Sequence, residues 1–107
     1  MKWKISFFDE KVETQILRFP AGILANLLHI LEMIEEFGPA LGAPYTAPMG
    51  GGLFEIRARG KEGIGRALFG TAKGGEILIL HSFIKKTQKT PKKDLAIARK
   101  RLKESRR

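Results

Sequence analysis

The chain has 107 residues, 43% of them hydrophobic, with no cysteine and a formal net charge of +9. That length holds one domain with a real core and no second one, so residues 1–107 are read as a single unit. Absent cysteines exclude disulfides and thiolate metal sites, and no apolar run approaches the ~20 residues that span a bilayer, so a cytoplasmic home without a membrane partner is expected.

Met1-Lys2-Trp3-Lys4 leads into an alternating run and not into the apolar core of a secretory signal. Trp3, Ile5 and Phe7 alternate with polar residues, the period of a half-buried strand at a sheet edge. Asp9-Glu10 supplies the acidic groups that favour a helix start, and Val12, Ile16 and Leu17 predict a short helix. Pro20 suits a first helical turn. Residues 21–37 then repeat apolar side chains at helical spacing, through Ile23, Leu27, Ile30 and Ile34, until Gly38-Pro39 stops them. Residues 38–52 carry three of the five prolines and five of the twelve glycines and read as a loop or constrained crossover.

Three strands follow, Leu53–Arg59, Ile64–Ala72 and Glu76–Lys85, joined by glycine-containing hairpin turns into an antiparallel meander. Thr90-Pro91 reads as a helix start with Thr90 as N-cap and Pro91 as first residue. Leu95, Ala98 and Leu102 give the last helix one apolar stripe among basic residues. Residues 85–107 hold eleven Lys/Arg against Asp94 and Glu104, a net +9, while the nine basic and nine acidic side chains before them cancel. The fold class is therefore α+β: an N-terminal strand and two helices, a β-meander, and a basic C-terminal helix.

The hairpins predict a register. Symmetric closure at Gly60–Gly63 sets Arg57 opposite Arg66, and a two-residue turn at Gly74-Gly75 sets Arg66 opposite Phe83 and Leu68 opposite His81. One sheet face then collects Glu55, Arg57, Arg59, Arg66, His81, Phe83 and Lys85. The other collects Phe54, Ile56, Ala58, Ala67, Phe69, Leu78, Leu80 and Ile84 as a core. Two facing arginines disfavour folding unless an anion sits between them or Glu55 neutralises them, and both readings stand.

The chemistry is narrowed by what is missing. There is no phosphate-binding Gly-rich loop, no His/Asp/Glu spacing for a metal, and no Ser/His/Asp set, so no cofactor is expected. RNA cleavage needs no protein nucleophile, because the 2′-hydroxyl of the substrate attacks the adjacent phosphate. The protein then supplies positioning, cationic stabilisation of the phosphorane and proton transfer. Arg57, Arg66, His81 and Lys85 are candidate catalytic residues for that task. Arg59, Lys86, Lys89, Lys92, Lys93 and Arg99 are candidate RNA contacts.

Leu53-Phe54-Glu55-Ile56-Arg57, Arg66-Ala67-Leu68-Phe69, and Leu80-His81-Ser82-Phe83-Ile84-Lys85-Lys86-Thr87-Gln88-Lys89-Thr90-Pro91 with its basic helix resemble the phage-derived HigB-type toxins of the RelE/ParE superfamily. The resemblance covers essentially the whole chain. It implies a small RelE-like toxin of a type II toxin–antitoxin pair, held inactive by a HigA-like helix-turn-helix antitoxin. It also implies metal-independent mRNA cleavage, usually on the ribosome, with Arg57, Arg66 and the pair Lys85-Lys86 in the family's basic positions. Many relatives carry an aromatic hydroxyl where this chain has Phe69 followed by Gly70, which is a departure. A ParE-like gyrase inhibitor and a non-catalytic basic nucleic-acid-binding module are the alternative functions.

Overall fold

The computed structural model describes residues 2–86 and 89–106. Thr87 and Gln88 of the basic motif, with Met1 and Arg107, lie outside the described residues. The elements run β1 (Lys4–Phe7), α1 (Glu10–Leu17), α2 (Ala21–Phe37), a 3-10 turn (Gly38–Ala40), β2 (Thr46–Gly50), β3 (Leu53–Gly60), β4 (Gly63–Ala72), β5 (Glu76–Ile84) and α3 (Lys92–Ser105). The expected α+β architecture is present. Five strands form one sheet in the order β1-β5-β4-β3-β2, with β1 parallel to β5 and the other pairs antiparallel.

Local signals set the start of α1 and both ends of α2. Asp9 caps α1 by accepting a hydrogen bond from the Val12 N–H at 2.9 Å. Pro20 occupies the cap position of α2, and Gly38, at a φ of 65°, ends it. The predicted range of α2 matches its observed range.

One correction concerns residues 38–52, where Thr46–Gly50 form an edge strand on β3 instead of a loop. Glycine and proline density signalled the turns at both ends of this segment and masked the five-residue strand between them. A second correction concerns the last helix. Pro91 is its cap residue, the helix starts at Lys92, and Thr90 makes no capping bond, its hydroxyl donating to Glu55 Oε2 instead.

The sheet buries both faces. On one side α1 and α2 pack Val12, Ile23, Leu27, Ile30 and Ile34 against Ile56, Ala67, Phe69, Ile77 and Ile79. On the other, Ala98 and Leu102 of α3 pack against Leu53, Leu68, Leu78 and Leu80. The expected core face is thus corrected for Leu78 and Leu80, which lie under α3, and for Ile84, which is 38% exposed.

For Leu78 and Leu80 the physical reason is a β-bulge, whereas Ile84 keeps the expected pairing with Gly65 and lies at the end of β5. Ala72 pairs with Glu76, so the hairpin closes around Lys73-Gly74-Gly75 and not around two residues. The register shifts between Leu68 and Phe69, leaving Leu80 as the extra residue opposite them. Beyond the bulge the register is as predicted, with Leu68 opposite His81, Arg66 opposite Phe83 and Arg57 opposite Arg66. The turn and the bulge offset each other at the site.

Two glycines mark where layers meet. A side chain at Gly60 would run into the backbone of Gly22 and Ile23 at the start of α2. One at Gly70 would run into Leu102, so β4 carries no side chain where α3 crosses it.

Candidate functional site

The site lies on the α3 side of the sheet, at the end of β3, β4 and β5 that α3 leaves uncovered. Its centre is a carboxylate. Glu55 is 2% exposed, and its Oε1 lies 3.4 Å from Nε of both Arg57 and Arg66. Its Oε2 accepts from the Thr90 hydroxyl. Alternation along β3 puts Glu55 and Arg57 on one face, and the β3–β4 pairing brings Arg66 directly opposite Arg57. Like charges in that cross-strand position repel, and the shared carboxylate offsets the repulsion.

The two arginines are not equivalent. The Arg66 side chain is 6% exposed, and its Nη1 donates to the Gly65 carbonyl at 3.2 Å. Arg57 keeps 43% of its side chain open. Loss of hydration pushes the Arg66 guanidinium below its ordinary range; Glu55 opposes this, and Arg57 and Arg59 reinforce it. Lys85 completes the group. Its amine is pushed down first by partial desolvation and next by Arg66, with Glu55 opposing and Arg57 adding. Arg57, Arg66 and Lys85 are therefore brought together around Glu55, and Arg59 stands close enough to be felt by Arg66.

His81 is held differently. Its Nε2 lies 2.6 Å from Asp94 Oδ1 in the first turn of α3, its Nδ1 is buried without a hydrogen-bond partner among the described residues, and its ring stacks on Phe83 at 6.0 Å. Its polar edge faces α3 and not the open end of the sheet. The Asp94 contact was missed from the sequence, although a signal exists. Asp94, Ala98 and Leu102 recur every four residues, so Asp94 belongs on the docking stripe facing β5.

The cations of α3 divide into two groups. Arginines turn to the sheet: Arg99 donates to the Met49 and Gly50 carbonyls at 2.8 and 3.0 Å, and Arg106 to the Thr71 carbonyl at 3.3 Å. Arg101 donates to the Leu80 carbonyl at 2.7 Å, inside the bulge, and lies over the Phe8 ring. Lys92, Lys93, Lys100 and Lys103 face solvent, and none of them forms an ion pair among the described residues. Lys86 and Lys89 are exposed at the approach to the helix. Of the candidate RNA contacts, Arg99 is thus committed to holding the β2–β3 turn, whereas Lys86, Lys92 and Lys93 turn their side chains to solvent.

Phe69 lies in the helix-side core, stacked on Phe54 with ring centroids 5.3 Å apart, and does not reach the site. No group of three or more His, Asp or Glu suited to a metal occurs among the described residues. No helix among them is long and apolar enough to cross a membrane.

Comparison with known proteins adds an independent finding. The model of the family described as Phage derived protein Gp49-like (DUF891) matches residues 14–103, which include α2, the whole meander and most of α3. A search of curated proteins finds no match. The matched span contains Glu55, Arg57, Arg66, His81 and Lys85, so the family resemblance and the assembled site cover the same elements. The chain belongs to the Gp49-like phage-derived family, a RelE/ParE-like toxin family of toxin–antitoxin systems.

Proposed function

We propose that this chain is a HigB-type toxin that cleaves mRNA, working on the ribosome without a protein-bound metal and silenced by a HigA-like helix-turn-helix antitoxin. The observation that carries the reading is the Glu55-centred cluster, in which Arg57 and Lys85 present open cationic heads at the end of a buried ion pair.

In this reading the substrate 2′-hydroxyl attacks the neighbouring phosphate, and Arg57 and Lys85 face the non-bridging oxygens where charge develops. Arg66 is too covered to embrace a phosphate. It acts by raising the local positive potential and by fixing Glu55, which in turn aims Arg57. Lys85, whose amine is held below its ordinary range, is the group suited to proton transfer. His81 positions: through Asp94 it locks α3 to β5, and through Phe83 it braces the strand that carries Lys85. Arg59, Lys86, Lys89, Lys92 and Lys93 lead the RNA backbone towards the cluster, and Arg99 holds the helix that bears the lysines.

Primer-extension mapping in cells expressing the chain tests this. Discrete cuts within translated codons, with arrest of protein synthesis, are the expected result. DNA damage with intact transcripts would support a ParE-like gyrase inhibitor instead, and binding without cuts a non-catalytic module.

A further inference from the structure

The chain has one tyrosine, and it stands beside the cluster. Thr46 pairs with Ile56 and Ala47 with Glu55, and the ladder continues one step further, where the Arg57 N–H donates to the Tyr45 carbonyl at 2.8 Å. Tyr45 is therefore directly across from Arg57, and residues so opposed share a sheet face with Cβ atoms about 4.5–5.5 Å apart. Thr46, one position on, is buried with Ile56 on the helix side, so alternation assigns Tyr45 to the arginine side.

Tyr45 is 36% exposed, belongs to neither core cluster, and makes no aromatic or cation–π contact among the described residues. Its backbone, by contrast, is fixed. The Gly42 carbonyl accepts from the N–H groups of Tyr45 and Thr46 at 3.1 and 3.0 Å, and the Gly42 N–H donates to Thr46 Oγ1 at 2.8 Å. Gly42 sits at a φ of 77°, a conformation that its lack of a side chain permits and that closes this turn. A partly exposed aromatic on a fixed backbone, next to exposed cations, is how proteins hold single-stranded RNA: cations take the phosphates and the ring takes a base.

We propose that Tyr45 is a substrate-contacting residue, its ring stacking on a nucleobase adjacent to the phosphate that Arg57 and Lys85 face. This rests on the RNA-cleavage reading of the same site. Because stacking uses the ring and not the hydroxyl, Tyr45→Phe is expected to cleave as the unaltered chain does. Tyr45→Ala is expected to lose about five- to hundredfold in kcat/KM, carried mainly by KM. Both variants should fold, since the side chain lies outside both cores. Unchanged kcat/KM in Tyr45→Ala, or equal losses in the two variants, would overturn the proposal.

Binding is read separately. Protein grown with 3-fluorotyrosine carries a single 19F probe, titrated with a 2′-O-methyl oligoadenylate hexamer that cannot be cut. A ring-current shift with this hexamer, absent with an abasic hexamer of equal length, is expected; no shift, or the same shift with both, would overturn stacking. A chain that cuts no RNA contradicts the reading of the site, whereas one that cuts equally well as Tyr45→Ala contradicts only the role of Tyr45.

Discussion

Glu55→Leu is expected to destabilise the protein by about 3–5 kcal/mol, because it leaves a buried guanidinium without its counter-charge. Arg66 has 6% of its side chain exposed, and once Glu55 is gone its remaining partner among the described residues is the Gly65 carbonyl. In a domain of this size that loss lowers Tm by more than about 12 °C. Arg66→Met should cost less, since Glu55 keeps Arg57 and the Thr90 hydroxyl. The double variant Glu55→Leu/Arg66→Met is expected to recover to within about 1–2 kcal/mol of the original chain, because well-packed apolar groups replace buried ion pairs at little cost. Urea unfolding of the four proteins measures the coupling. A Glu55→Leu variant as stable as the parent would show that Arg66 finds water, and that the cluster is looser than its geometry. The double variant, though stable, should have lost toxicity, which separates what the pair does for the site from what it does for the fold.

Arg57→Ala and Lys85→Ala are expected to reduce cleavage by about 10²–10³-fold each with little change in stability, the range for removing one electrostatic contact to a developing oxyanion. Their stability should hold because Arg57 is 43% exposed and Lys85 lies at the rim. The pH dependence has a definite sign. Partial desolvation and the Arg66 cation hold the Lys85 amine below the ordinary lysine range. Activity that needs its charge is therefore present at neutral pH and falls as pH rises through that lowered value, earlier than for a free lysine. Removing Arg57 takes away one of the neighbouring cations and should move this alkaline limb to higher pH. Lys85→Arg should move it higher still, at reduced rate, because a guanidinium keeps its charge and transfers protons poorly. Alkaline limbs that coincide in all three proteins would show that Lys85 does not set the pH dependence.

Much of this architecture was legible in the residues, for identifiable reasons. The range of α2 could be read because eight apolar side chains at helical spacing end in glycine and proline. The facing of Arg57 and Arg66 followed from a symmetric hairpin. The facing of Arg66 and Phe83 came out correctly although the Gly74-Gly75 turn was misjudged, because the bulge at Leu80 restores the register. Bulges depend on packing between layers, here Leu80 and Leu78 under α3, and short-range pattern carries no trace of that. Strand β2 was hidden for a similar reason: Thr46–Gly50 is held by pairing with β3, against the glycine and proline in its own sequence. For the site, charge counting identified the cations and left their roles open. Arg99 reads as a nucleic-acid contact, whereas its guanidinium caps the Met49 and Gly50 carbonyls. Glu55 was visible as a possible neutraliser, but its sharing between two arginines and Thr90 depends on contacts across three elements.

The central claim is that the substrate supplies its own nucleophile and that the Glu55-centred cluster supplies the charge. The most direct measurement is end analysis of a defined transcript cut by the purified chain, with and without translating ribosomes. Attack by the 2′-hydroxyl leaves a 2′,3′-cyclic phosphate on the upstream fragment and a 5′-hydroxyl on the downstream one. Cleavage with those ends, persisting in chelator-treated reactions where ribosomes are not required, abolished by a single 2′-deoxy substitution at the cut site and lost in Lys85→Ala, is the predicted result. Fragments bearing 5′-phosphates, or cleavage indifferent to the 2′-deoxy substitution, would contradict it.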